Sequence, residues 1–245
     1  MCLSISVVEP LILKINNYLV PNVLVRTSDG ERSYDLESRL LSDRIIFLKG
    51  EVEDGMASIC CEELLHLNDE DSPKPIDMYI MGPGGSIHSG LAIIDTMKLI
   101  DAPVYTYAVG YVASMDAAIF SAGDKRYLLP NSQVMVHQLG SGCEGKLHDL
   151  SVSVNYDKRL NNLLLGMIGR NCGKFTDEEF NLIRDTIDEM SDDNEDAVMV
   201  LPKALAKKLS DFKKSVDRDT WLMPKAAIRF GIADEILTKR ETEVI

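Results

Sequence analysis

"IDMYIMGPGGSIHSGLAIIDTMKLIDAPVYTYAVG", residues 76–110, places a helical run between two short apolar ones. Residues 76–82 read as a strand, the "GPGG" that follows as a turn, 89–100 as a helix and 103–110 as the next strand. The same pair stands upstream, with "RIIFLKGEV" (44–52) as a strand and "GMASICCEELLHLND" (55–69) as a helix whose apolar residues lie three and four apart. Strand and helix in alternation predict βαβ units and parallel strands buried on both faces. The fold class is therefore α/β, and no internal sequence repeat is evident.

Downstream, a short helix is expected from Ser114 to Ala122, then strands over "KRYLLP" (125–130) and "QVMVHQ" (133–138), then a long helix from Lys146 to about Ile168. From Arg184 to Ser215 the character changes. "DTIDEMSDDNEDA" carries seven acidic residues and no basic one, and the lysine-rich "KALAKKLSDFKK" follows. Such charge blocks belong on a surface. Leu205, Leu209, Phe212 and Val216 are nevertheless three or four apart, which predicts an amphipathic helix packed on a neighbour. "GIADEIL" (231–237) reads as a final strand.

Composition narrows the function. With 245 residues, 45% of them hydrophobic, the chain can bury one good core or two small ones. Its net charge of −13 and pI near 4.7 repel phosphate backbones and anionic lipid, so neither a nucleic-acid nor a membrane partner is expected. Cys2, Cys60, Cys61, Cys143 and Cys172 are odd in number and show no C-x-x-C spacing. That usage predicts neither a disulfide framework nor a zinc site, and fits a reducing compartment. The apolar N-terminal run is broken by Glu9 and Pro10 and is too short for a bilayer, so no secretory signal or anchor is read there.

Three features carry possible chemistry. Ser114 lies where strand period gives way to helix period, the carboxyl edge of a parallel sheet where ligands bind. The plainer reading is an N-cap hydroxyl, and Val112 and Asp116 stand where a G-x-S-x-G elbow needs glycines. His137 closes the strand "VMVH", in which Val134 and Val136 point one way and Met135 and His137 the other; a lone histidine of this kind is commonly structural. The glycines of "GPGGS" (82–86) serve either a positive-φ backbone or the display of N–H groups to an oxyanion. A serine, a base, an orienting carboxylate and N–H donors are the parts that nucleophilic acyl transfer needs. Periodicity does not bring them together.

The residues do so by resemblance. "GPGGSIHSGLAIIDTM", "GYVASMDAAIFSAGDKRYLLPNSQVMVHQ" and "DRDTWLMPKAAIRFGIADEIL" are similar to the glycine, serine and histidine, and aspartate blocks of the proteolytic-subunit family of the Clp protease (ClpP). "LVPNVLVRTSDGERSYDLESRLLSDRIIFLKGEVEDGMA" resembles that family's mature N-terminus and first strand. The resemblance implies a ClpP/crotonase-type spiral of βαβ units with a protruding helical handle, the handle being the long helix from Lys146. It implies Ser114 as nucleophile, His137 as general base and Asp219 as the orienting carboxylate, with Gly84 and Met115 giving N–H groups to the oxyanion hole. No metal or organic cofactor is implied. Asp217 and Arg218 match a ring–ring ion pair.

The implied function is a self-compartmentalised serine endopeptidase in two stacked heptameric rings, homomeric or mixed, degrading unfolded proteins delivered by an AAA+ unfoldase. Its expected location is cytoplasmic, a plastid stroma or a phage-infected cell being the other settings. A catalytically silent ring subunit and a crotonase-type acyl-CoA enzyme are the alternatives. Residues 1–17 lie upstream of the usual mature start, as a propeptide or a structureless N-terminus, and 18–245 form the peptidase domain with a charged insertion at about 184–215. Beyond the propeptide, Leu19, Val20 and Val23 would face the unfoldase.

The sequence departs from the family pattern at Gly82, where serine is usual, at Ser215, where an acidic residue is usual, and in the longer span from His137 to Asp219. It departs most at Asp116, where glycine is usual. A carboxylate there would oppose a developing oxyanion unless its side chain pointed away.

Overall fold

The computed structural model describes residues 21–27, 30–71, 73–142, 144–188 and 201–239. Leu19, Val20, the expected propeptide and most of the acidic run lie outside them. The chain divides into two units, 1–42 and 43–245. In the first, β1 (Asn22–Thr27) and β2 (Gly30–Asp35) form an antiparallel hairpin, registered from Asn22 opposite Asp35 to Thr27 opposite Gly30. The helix α1 (Leu36–Ser42) follows, its start capped by Asp35, whose carboxylate accepts from the Ser38 N–H at 2.8 Å and the Ser38 hydroxyl at 2.6 Å.

The second unit begins with the predicted alternation: β3 (Ile45–Val52), α2 (Asp54–Asp71), β4 (Ile76–Gly85), α3 (Ile87–Leu99), β5 (Val104–Ala113) and α4 (Met115–Ser121). After β6 (Lys125–Leu128) and β7 (Gln133–Val136) come α5 (Leu147–Asn171), α6 (Asp177–Asp188) and α7 (Lys203–Ser215). The described chain closes with β8 (Thr220–Leu222), α8 (Pro224–Phe230) and β9 (Glu235–Ile236). The strands β3, β4, β5, β6 and β9 lie side by side in that order, all parallel, so the mixed α/β architecture agrees with the ClpP/crotonase-type class.

One edge of β5 changes partner along its length. Residues 105–108 pair with β6, whereas 111–113 pair with β7, and β7 carries β8 antiparallel on its far side. This switch brings the chain after Val136 beside the end of β5.

Three expectations need correction. "GPGG" is not a turn after a strand but its last rungs, since Gly84 and Gly85 lie in register with Glu51 and Val52 of β3. "GIADEIL" is mostly not strand: Gly231, at φ 93°, caps α8, and only two residues of β9 pair. Nor are the parallel strands buried on both faces. Ile76, Met78, Ile80, Val104, Ala108 and Val112 are fully buried on one side, where Leu64, Ile93 and Phe120 of the helices also lie. The alternate residues Phe47, Tyr79, Tyr107 and Tyr127 stack as a ladder, centroids 4.5–5.0 Å apart, on a face left half open. Cross-strand aromatic stacking supplies the packing that a second helical layer would have given.

Helix α5 is divided in its exposure. Leu147 is 86% exposed and Val154 and Tyr156 also face outward, while Leu165, Met167 and Ile168 near its other end are buried. The lysine-rich segment is the amphipathic helix expected. Leu205, Leu209, Phe212 and Val216 are all buried, Phe212 packs edge-on to Phe175, and Lys208 reaches the Glu179 carboxylate of α6. No described helix is long and apolar enough to cross a membrane.

Candidate active site

Ser114 connects β5 to α4 with φ 56° and ψ −120°. Such a backbone costs a β-carbon-bearing residue of the order of 1–3 kcal/mol and persists only where its surroundings enforce it. The enforcement is visible: its N–H donates to Met135 O at 3.0 Å, and its C=O accepts from the N–H groups of Ala117 and Ala118. The residue stands at the N-cap position, yet its side chain makes no capping bond. The hydroxyl is paired with His137 Nε2 instead, at 2.8 Å. The capping reading of this serine is therefore replaced by a serine–histidine pair.

His137 follows β7 directly, and the antiparallel register that sets Val136 opposite Thr220 puts Asp219, one residue earlier, opposite His137. Asp219 Oδ1 lies 3.5 Å from Nδ1, with 28% of the histidine side chain and 65% of the aspartate side chain exposed. The three residues named from the sequence thus stand in series. A hinge of polar side chains holds the histidine segment: Gln138 Nε2 donates to Asp217 Oδ1 at 2.9 Å, its Oε1 accepts from Asn161 Nδ2, and Asn161 Oδ1 accepts the Leu139 N–H. Gln138 and Asn161 were missed in the sequence because their meeting depends on how α5 lies along the loop after β7. Asp217 is engaged within the chain, and the C=O of its neighbour Arg218 accepts from the Thr220 hydroxyl.

The glycine segment lies against the serine. A β-carbon on Gly84, at φ 89°, would fall 2.7 Å from Ala113 O, Met115 N and Ser114 Cβ, so any larger residue would push into the backbone around Ser114. The Gly84 N–H, however, does not point to an open hole. It donates at 2.9 Å to Oδ2 of Asp116, whose side chain is only 1% exposed. Burial pushes the Asp116 carboxyl up to about 6, against the opposing pull of that N–H. The assignment of Gly84 to the oxyanion hole thus meets a donor already occupied by a carboxylate.

Gly85, in contrast, lines a cavity of about 130 Å³ together with Ser114, Met115 and His137. Ala118, Val136, Leu165 and Ile168 give it apolar walls, and Asn161 adds a polar side chain to the lining. Serine, imidazole, carboxylate and backbone amides beside a small, partly apolar pocket form the set required for acyl transfer to a nucleophilic hydroxyl. Among the described residues no cluster of three or more His, Cys, Asp or Glu side chains is arranged to hold a metal ion. The model of one family, that of the Clp protease, matches residues 28–186 and 167–240, which together make up most of the chain.

Proposed function

The chain belongs to the Clp protease family, a ClpP-type serine protease in its general class, and from that premise we propose that Ser114, His137 and Asp219 cleave peptide bonds through an acyl-enzyme. The observation that carries this reading is the 2.8 Å pairing of Ser114 Oγ with His137 Nε2 on a backbone strained into place. With Nδ1–H directed at Asp219, Nε2 presents its lone pair and accepts the Ser114 proton as Oγ attacks the carbonyl carbon. The tetrahedral intermediate collapses, the peptide C–N bond breaks, and His137 returns the proton to the leaving amine. Water, deprotonated by the same imidazole, then attacks the ester and releases Ser114. The separation of 3.5 Å to Asp219 is longer than a working hydrogen bond and tightens as the imidazolium forms.

The oxyanion forms next to Met115 N–H, at the start of α4, and Gly85 takes the place assigned to Gly84, since it lines the cavity while the Gly84 N–H is engaged. The apolar walls favour an aliphatic side chain on the acyl side of the cleaved bond. Rings of this subunit, stacked through the outward-facing half of α5 with its exposed Leu147, Val154 and Tyr156, receive unfolded chains from an AAA+ unfoldase, with Asp217 and Arg218 at the ring–ring contact. A cytoplasmic location fits the odd number of cysteines without C-x-x-C spacing, of which Cys60, Cys61 and Cys172 are free thiols.

A second reading, a ring subunit without activity, is favoured by one observation: a buried carboxylate beside the serine. Hydrolysis of a short fluorogenic peptide by wild type and Ser114→Ala, with particle mass recorded on the same samples, decides between them. Activity in a ring-sized particle that falls by about 10⁴-fold in Ser114→Ala supports the peptidase. A ring without Ser114-dependent turnover supports the silent subunit.

A further inference from the structure

Asp116 is the one carboxylate buried in the helix that begins at the nucleophile, and its surroundings are built for it. It follows Met115 in α4, is 1% exposed, and spans from that helix to the last rungs of β4, where Oδ2 takes the Gly84 N–H. Burying a carboxylate is costly unless it finds a donor, and Gly84 provides one. Room for the crossing exists only because residue 82 has no side chain: a β-carbon there would lie 2.4 Å from Asp116 Oδ2 and 2.1 Å from Gly50 O. Gly82 and Asp116, both departures from the family pattern, are thus in spatial contact. They act as one feature.

We propose, on the serine-peptidase reading above, that Asp116 is a positioning residue: its carboxyl ties the Gly84 N–H to the start of α4 and so fixes the Gly84–Gly85 segment against Ser114 and Met115. The tie fixes the peptide plane entering Gly84, while the close approach of Gly84 to Ser114 Cβ and Met115 N fixes its α-carbon. With both constraints in place, the following peptide, which ends at the Gly85 nitrogen, is presented to the cavity in one orientation. A glycine pair without the tie has the freedom to rotate, and a donor that rotates must be reordered in each turnover. Asp116 touches no reacting atom in this scheme. It acts through Gly84.

The test is a pair of variants read in two ways. Asp116→Ala removes the acceptor and is expected to lower kcat for a short peptide about tenfold with KM changed less than twofold, because a loosened oxyanion donor acts mainly in the transition state. Asp116→Asn keeps a carbonyl acceptor at the same reach and is expected to restore kcat to within about threefold of wild type. In parallel, amide hydrogen exchange at Gly84 is expected to speed up at least tenfold in Asp116→Ala and to stay slow in Asp116→Asn. Should Asp116→Ala not fold, Asp116→Gly, which removes the carboxyl without adding an apolar group, carries the same expectations. Wild-type kcat with slow Gly84 exchange in the alanine or glycine variant overturns the proposal, as does an asparagine variant as slow in turnover as alanine. If the wild-type protein shows no Ser114-dependent hydrolysis, the peptidase reading falls, and Gly84 exchange alone still decides whether the tie exists.

Discussion

Ser114 and Asp219 are the two ends of one series of contacts, and they are held in opposite ways. Around Ser114 the neighbours are backbone and core: Met135 O, the α4 amides, and Gly84 at a distance that admits no side chain. Around Asp219 there is mostly solvent, and its 3.5 Å approach to His137 is set by a three-residue strand, β8, on the edge of the sheet. Asp219 also comes only four residues after the end of α7, which the charged segment precedes. Ser114 is therefore fixed by what the chain buries for itself, whereas Asp219 rests on a short edge pairing with most of its side chain in solvent.

The strongest way to sharpen the contrast is to remove each partner of the histidine series. His137→Ala should lower kcat by about 10⁴-fold or more, and Asp219→Ala by about 10²–10⁴-fold, in peptide-hydrolysis assays. Because Asp219 is exposed, its replacement should shift the unfolding free energy by less than about 0.5 kcal/mol. An Asp219→Ala enzyme with unchanged kcat would break the series.

Gly84→Ala attacks the packed end through sterics alone. With φ at 89° and three atoms 2.7 Å from the new methyl group, a loss of about 3 kcal/mol or more is expected in denaturant unfolding. A loss under about 1 kcal/mol would mean that the strand end yields and is not a rigid wall.

pH gives a third test of that end. The Asp116 carboxyl is raised from 3.8 to about 6, burial being the main cause and the Gly84 N–H opposing it. The folded state therefore holds this proton more tightly than the unfolded state does. Its contribution to stability is fully present below about pH 3.8 and is lost as pH rises through about 6, a change of roughly 3 kcal/mol at most. Urea unfolding of Asp116→Asn should lack this fall between pH 4 and pH 6.5. If wild type and Asp116→Asn show the same slope, the carboxyl is not desolvated as described.

The smallest effect belongs to the surface. Lys208→Ala removes the pairing with Glu179 between α6 and α7 and should cost less than about 1 kcal/mol in thermal unfolding. A larger cost would mean that α7 depends on this ion pair more than on its buried Leu205, Leu209 and Phe212.

The sequence by itself determined the order of β3 to α4, because strand and helix write their periods, two and 3.6, directly into the apolar pattern. It also determined α7, for the same reason, despite the density of charge around it. The candidate triad was legible as residue types in the family's order, from resemblance and not from spacing. Other features were not legible. Nothing in "GPGG" distinguishes a turn from strand rungs that happen to be glycine, since the difference lies in their pairing with Glu51 and Val52. The half-open aromatic face depends on where the helices do not pack.

Only the tertiary structure decided that β5 changes partners from β6 to β7, that β8 returns antiparallel, and that Ser114, His137 and Asp219 meet as a result. Only it decided where Asp116 points. A carboxylate next to a nucleophile is, in sequence, a charge with no direction. Its effect depends on burial and on which donor lies within 3 Å, and these are properties of Gly82 and Gly84, more than thirty residues away in the chain.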